Sequence, residues 1–243
     1  MSLIIGLLIG FAAGFMSGMF GIGGGSIRTP LLYVAGLPLL SAFGINLLVI
    51  PFSSLIGAIS HRKNIHWKLA PYVVLGGALG SVIGAFLAGL IPTLALAIIF
   101  VIISFLTVSG IYLDRIAPRL AQKIKPNPKN MVSGTFFLNL LTGMRGGSGG
   151  SLFPPFLRAM RLPMREAIAT SLFATIFTAT AAVIIYWYRG DILWLPALAV
   201  IIGSIAGTRM GSLASLKTKP VWLEIGLSSL VVMLALIVLL KAL

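Results

Sequence analysis

The chain has 243 residues, of which 58% are hydrophobic and 9% charged, and its mean hydropathy is +1.09. A soluble domain of this size keeps roughly a quarter of its residues charged, so the composition excludes a soluble fold and predicts a protein that faces lipid. The formal net charge is +14. The basic residues stand in short loops beside apolar runs, where they suit anionic headgroups, and we do not expect nucleic-acid binding. The chain has no cysteine, which excludes disulfides, thiolate metal sites and cysteine nucleophiles.

The chain contains an internal repeat. Residues 17–38 (SGMFGIGGGSIRTPLLYVAGLP) and 142–163 (TGMRGGSGGSLFPPFLRAMRLP) align without gaps at an offset of 142 − 17 = 125. The shared glycines and prolines predict two homologous halves, 1–113 and 131–243, joined by a basic linker at 114–130.

Six apolar segments have the length of about 20 residues that a helix needs to cross the hydrocarbon. They are 38–60, 71–90, 92–113, 164–188, 193–214 and 221–241. The first segment of each half differs. Residues 3–18 and 131–143 run into glycine clusters, and the arms that follow, 26–36 and 151–160, would reach only about 15 Å as helices. We therefore expect each half to begin with a re-entrant hairpin whose glycine tip lies near the midplane.

The basic residues of loops and ends divide unevenly under this arrangement, with thirteen on one side and Arg189 and Lys241 on the other. Eight plain spans, in which each glycine-rich segment crosses once, would divide them almost evenly. Because loop Lys and Arg favour the cytoplasm, we expect the hairpins, cytoplasmic basic loops and both termini outside. The thirteen are Arg62, Lys63, Lys68, Arg115, Arg119, Lys123, Lys125, Lys129, Arg158, Arg161, Arg165, Lys217 and Lys219.

The predicted fold class is an all-α integral membrane protein made of two halves, each a glycine-tipped hairpin followed by three spans. Three spans are an odd number, so the second half enters the membrane from the opposite side and the repeat is inverted. Inverted repeats with broken helices are a recurrent transporter architecture, with the substrate bound at the midplane.

The two glycine tips are the candidate binding site. Glycine lets successive backbone N–H groups turn toward one point, and such a turn at a helix start favours anions. The tips FGIGGGS (20–26) and RGGSGGS (145–151) would meet from opposite sides. Arg145 lies in the second tip and Arg28 one turn beyond the first, where no acidic partner is expected, so an anionic ligand or backbone carbonyls would face them.

Other polar and small residues have competing readings. Asn46 and Ser171 are equivalent in the repeat and could line the path, although hydroxyls also bond their own helix backbone. The Gly80/Gly84 and Gly203/Gly207 pairs are typical of close helix packing. Metal-ligand and cofactor motifs are absent from the sequence, so we expect no cofactor. The alternative function is an intramembrane enzyme acting on a lipid or an anionic substrate.

The segments GFMSGMFGIGGGSIRTPLL (14–32) and GMRGGSGGSLFPPFL (143–157), with AFGIN (42–46) and AIATSL (167–172), resemble the TauE/SafE family of sulfite exporters. The resemblance implies transport of sulfite, thiosulfate, a sulfonate or another small sulfur-containing anion. Anion export is electrically downhill from a negative interior, which favours an exporter; self-association is left open. The candidate substrate-binding residues are Gly21, Gly23, Gly24, Gly25, Arg28, Asn46, Arg145, Ser148, Gly149, Gly150 and Ser171.

Overall fold

The computed structural model describes residues 1–20, 23–111, 127–215, 232–233 and 235–242, and these are helical with short connections. Nine α-helices lie within these ranges. They are α1 (Leu3–Phe20), α2 (Gly25–Val34), α3 (Leu39–Ser60), α4 (Ala70–Ala88), α5 (Thr93–Ile111), α6 (Pro128–Met144), α7 (Phe153–Ala159), α8 (Met164–Tyr188) and α9 (Trp194–Ser215). A 3₁₀ turn, Arg62–Asn64, links α3 to α4, and residues 235–242 form a further helical segment.

Five of the described helices are long and apolar enough to cross a membrane: α1, α3, α4, α8 and α9. The last four coincide with predicted spans to within about two residues, and α5 occupies the predicted span 92–113. Most of the predicted span 221–241, and residues 112–126 of the predicted linker, lie outside the described residues. Helix α6 begins inside the predicted linker, where Asn127 caps it and Pro128 takes the first helical position.

The first arm of each hairpin is longer than we expected for a helix that stops at the midplane. Helix α1 has 18 residues and α6 has 17, which corresponds to about 27 and 26 Å. The return arms are short, with 10 residues in α2 and 7 in α7. The chain does turn back on itself, because a Cβ built on Gly24 would lie 3.0 Å from the carbonyl oxygen of Ala13.

The two halves pack against each other through their first helices. The first helix of each half packs along the third long helix of the other half, so α1 pairs with α9 and α6 with α4. Glycines in α4 and α9 let the backbones touch, since a Cβ on any of them would overlap a carbonyl oxygen of the partner helix. The pairs are Gly76 with Val132, Gly80 with Phe136, Gly84 with Leu140, Gly203 with Leu7, Gly207 with Phe11 and Gly211 with Phe15.

These seams confirm the packing interpretation of the Gly-x-x-x-Gly patterns. The three carbonyls in each half are 125 residues apart from their counterparts, as the repeat requires. The contacting glycines are 127 residues apart (203 − 76 = 127), so the register shifts by two residues inside the third long helix.

Helices α3 and α8, the spans that follow the two hairpins, occupy the centre. They pack against each other, α8 also contacts α4, and α3 contacts α9. Phe43, Ile50, Tyr186 and Val200 are among the buried side chains of the main core. This position places polar groups of α3 and α8 beside the glycine tips.

Candidate functional site

The glycine tips of the two hairpins meet. A Cβ built on Gly23 would lie 3.5 Å from the Cα of Gly150. Gly23 and Gly24 both adopt positive φ, at 69° and 70°, and Gly149 does so at 75°. Side chains rarely tolerate this conformation, so glycine is what allows the chain to turn here and the two backbones to approach.

Arg28 projects from α2 beside the first tip and is fully buried. Its Nη1 donates to Asn46 Oδ1 at 2.6 Å, and its Nη2 donates to Ser204 Oγ at 3.0 Å. Ser204 in turn donates to the carbonyl oxygen of Gly10 at 2.9 Å, which fixes it on the seam between α1 and α9. The guanidinium is therefore held by neutral groups from α3 and α9.

Asn46 connects this arginine to the second tip. While its Oδ1 accepts from Arg28, its Nδ2 donates to the carbonyl oxygen of Gly146 at 2.6 Å. The amide passes close to Gly25, where a Cβ would lie 2.7 Å from Nδ2. A side chain at position 25 would push Asn46 away from one or both partners.

Arg145 ends the first arm of the second hairpin and is 3% exposed. Its Nη2 donates to Ser151 Oγ, and its Nη1 is 3.5 Å from Ser104 Oγ on α5. The guanidinium carbon lies 5.4 Å from the centre of the Phe100 ring, a favourable cation–π placement. Its partners are again neutral.

The two arginines occupy non-equivalent positions in the repeat. At the offset of 125, Arg28 corresponds to Phe153 and Arg145 corresponds to Phe20. Each half supplies one arginine, but from opposite sides of its tip. The site therefore has one guanidinium from each hairpin without being symmetric.

Neither arginine has an acidic partner among the described residues. The chain has four acids, of which Asp114 and Glu224 lie outside the described ranges. Asp191 pairs with Arg189 at 2.7 Å, and Glu166 lines a pocket in the loop region. The sequence left an anionic ligand or backbone carbonyls open as partners; in the structure the side-chain hydrogen bonds of both arginines go to polar side chains, and the anionic ligand stays a prediction.

The second tip is held by side chains from α8. Thr178 donates to the carbonyl oxygen of Ser148 at 3.0 Å, and Ser171 Oγ is 3.5 Å from the carbonyl oxygen of Gly150. A Cβ on Gly149 would overlap Asn139 Oδ1. Of the predicted site residues, Gly21 lies outside the described residues and seven lie in the tips. Asn46 and Ser171 contact carbonyl oxygens of the second tip, and Arg28 is linked to that tip through Asn46.

Sequence reasoning missed Asn139, Ser104 and Ser204. Asn139 is buried, donates to the carbonyl oxygen of Gly77 at 2.7 Å and accepts from Thr142 at 3.0 Å. An amide in an apolar helix, nearly two turns before a glycine tip, was the available signal. Its repeat equivalent is Gly14, so the repeat did not point to it.

Several buried polar groups around the tips have no hydrogen-bond partner within the described part of the chain. Among the described residues, Nε of both arginines and the hydroxyls of Ser26, Thr29 and Ser148 are buried without a partner. No cluster of three or more His, Cys, Asp or Glu forms within the described ranges. The arrangement offers positive charge and N–H and O–H donors, which are the groups that bind an oxyanion.

Comparison with known proteins decides the family. A family model described as the sulfite exporter TauE/SafE matches residues 6–238. The chain belongs to the TauE/SafE family. It is a membrane transporter, the class that the sequence predicted, and the intramembrane-enzyme alternative is set aside.

Curated relatives of the TauE/SafE family match over most of their length. The probable membrane transporter protein YunE of Bacillus subtilis (strain 168) is 25% identical over 90% of each chain. The probable membrane transporter protein MJ0441 of Methanocaldococcus jannaschii is 28% identical over 96% of this chain and 94% of its own. A probable membrane transporter protein of Xylella fastidiosa (strain 9a5c) is 30% identical over 87% and 84%. No solved structure gives a significant match.

Proposed function

We propose that this transporter carries a small sulfur-containing anion, such as sulfite, thiosulfate or a sulfonate, bound between the two glycine tips. The observation that supports the substrate charge is the pair of buried arginines, Arg28 and Arg145, whose described partners are all neutral. The family description, sulfite exporter, supports the chemical class.

The energetic argument follows from burial. An uncompensated charge in a protein interior costs several kcal/mol, and the cost falls when an opposite charge and hydrogen bonds are supplied together. Neutral partners give hydrogen bonds without cancelling the charge. A bound oxyanion would supply the charge and accept from the unpaired Nε donors and the Ser148 hydroxyl.

The proposed site lies near the midplane of an inverted repeat. Asn46 is seven residues into α3 and Ser171 is seven residues into α8, which places each about 10 Å from its helix start. If α3 and α8 start on opposite sides, as the charge distribution predicts, the tips lie between these two depths. The reciprocal packing of α1 on α9 and α6 on α4 supports a two-fold relation between the halves, an arrangement suited to alternating access.

The proposed direction is export. Moving one negative charge outward through 100 mV is favourable by about 2.3 kcal/mol, so export needs no coupled ion. Uptake would need a titratable or cation-binding group, and the two described acids, Glu166 and Asp191, lie beside loops rather than at the tips.

Flux into proteoliposomes tests the proposal. Purified protein should carry sulfite, thiosulfate and sulfoacetate faster than protein-free vesicles, and an imposed potential should drive the anions toward the positive side. Neutral glycerol should show no protein-dependent flux. A protein that moves none of the three anions while it moves a cation or a neutral solute would overturn the substrate class.

A further inference from the structure

A basic pocket lies at the end of the helix bundle, where the loop between α3 and α4 meets the first turn of α8. It has a volume of about 410 Å³ and is lined by residues 63–68 and Glu166. Lys63 and Lys68 are exposed, and the Trp67 side chain is 60% exposed. The site is separate from the glycine tips and has no part in the proposed transport chemistry.

The loop that forms the pocket is anchored to the helix bundle, so the position of the pocket is fixed. The backbone N–H of His66 donates to Thr170 Oγ1 at 3.0 Å, which ties the loop to α8. Ile65 is buried in a small cluster with Ala70 and Ala169. The lysines are therefore presented from a fixed backbone on the surface of the bundle.

The pocket continues into an aromatic column on α8. The ring centres of Trp67 and Phe173 are 5.1 Å apart, and those of Phe173 and Phe177 are 5.2 Å apart. Phe177 is 45% exposed and lies one turn further along a candidate membrane span. A charged pocket at the end of the spans thus adjoins an apolar surface on the side of one of them.

The charge of the pocket favours an anion that also carries a hydrogen-bond donor. Among the residues that line the pocket, the two lysines, Lys63 and Lys68, outnumber the single acid, Glu166. A phosphate would be attracted by the lysines, whereas a hydroxyl on the same headgroup could donate to the Glu166 carboxylate. Basic pockets beside membrane-spanning helices are suited to anionic headgroups.

We propose that this pocket binds an anionic phospholipid of the phosphatidylglycerol type. The phosphate lies against Lys63 and Lys68, and an acyl chain follows Trp67, Phe173 and Phe177 along α8. The proposal does not depend on which solute the transporter carries.

Fluorescence quenching of Trp67 tests the site. With Trp187, Trp194 and Trp222 replaced by Phe, Trp67 is the sole tryptophan. Brominated phosphatidylglycerol mixed into phosphatidylcholine vesicles should quench it at a mole fraction about thirtyfold lower than brominated phosphatidylcholine, because each of the two lysines contributes about 1 kcal/mol beside an anionic lipid. Equal quenching by the two lipids would overturn the proposal.

Matched variants separate the pocket from general surface charge. Lys63→Gln with Lys68→Gln should abolish the preference, whereas Arg62→Gln with Lys129→Gln removes two charges outside the pocket and should keep it. Equal loss in both pairs would indicate diffuse attraction and contradict a defined site. Inorganic phosphate should not displace the brominated lipid, because it cannot occupy the aromatic column; full displacement would show a site for soluble phosphate instead.

Discussion

Asn46 ties the two hairpins together through its contact with Gly146, to whose carbonyl oxygen its Nδ2 donates at 2.6 Å. The same amide accepts from Arg28 through Oδ1. One side chain of α3 thus joins the return arm of the first hairpin to the tip of the second. Any motion that separates the tips has to break one of these two hydrogen bonds.

Asn46→Ala should leave the Gly146 carbonyl and one Arg28 donor without partners. Removing one partner of a buried hydrogen bond costs about 1–3 kcal/mol, so we expect a lower midpoint of thermal unfolding in detergent and at least tenfold slower anion flux. Asn130→Ala, at an exposed position in the first turn of α6, serves as the matched loss of an amide and should change neither. Wild-type flux in Asn46→Ala would show that the bridge has no role in the transport cycle.

Gly149→Ala should abolish transport, because the added methyl group would overlap Asn139 Oδ1 and the Phe153 ring. Gly190 has the same φ of 75°, and a Cβ there would meet nothing within 4 Å. Gly190→Ala therefore carries the backbone strain without the overlap and should retain most activity. Similar flux in the two variants would mean that space at the second tip is unimportant.

His61 should make the protein less stable in acid. It follows α3 and is 4% exposed, and its pKa is lowered by burial first and then by the nearby positive charge of Arg165. The unfolded chain then binds the proton more readily than the folded protein, so stability is full above the ordinary histidine pKa of about 6.5 and falls as pH drops below it.

His61→Gln should therefore flatten the decline in unfolding midpoint between about pH 7 and pH 5. If the unfolding midpoint of His61→Gln declines as steeply as that of the parent, another group causes the acid sensitivity.

Topology can be tested cleanly because the chain has no native cysteine. Single cysteines at Lys63, Lys125, Arg161 or Lys217 should resist an impermeant thiol reagent in intact cells and react after the cells are opened. A cysteine at Asp191 should react in intact cells. Eight plain spans would put Lys63 and Arg161 on opposite sides, so labelling of one but not the other from outside would contradict the hairpins and the inverted repeat.

Much of the fold follows from apolar length. Helices α3 and α9 begin and end within one residue of the predicted spans 38–60 and 193–214, because a membrane span of known length leaves little freedom in where its polar ends fall. The length of α1 was harder to predict. Its glycines are poor helix formers in isolation, but Gly10, Gly14 and Gly18 pack directly on the backbone of α9 and the helix continues to Phe20.

The sequence located the two glycine tips that approach each other in the structure, but not the side chains that contact them. The repeat identified the tips, and Arg145 was identified separately, because an arginine at membrane depth is unusual. The partners were not predictable, because Ser104 on α5 and Ser204 on α9 belong to helices far away in sequence. The packing of helices from one half against the other, which brings Ser204 to Arg28, has no local sequence signal.

The central claim is that the two buried arginines bind the transported anion, and calorimetric titration of sulfite and thiosulfate tests it most directly. Arg28→Gln and Arg145→Gln should each weaken binding by about 1.5–3 kcal/mol, the value of a charged hydrogen bond. Arg209→Gln removes an exposed arginine that contacts Ser60 and should bind as the parent does. Folded Arg28→Gln and Arg145→Gln proteins that bind both anions with parental affinity would contradict the account.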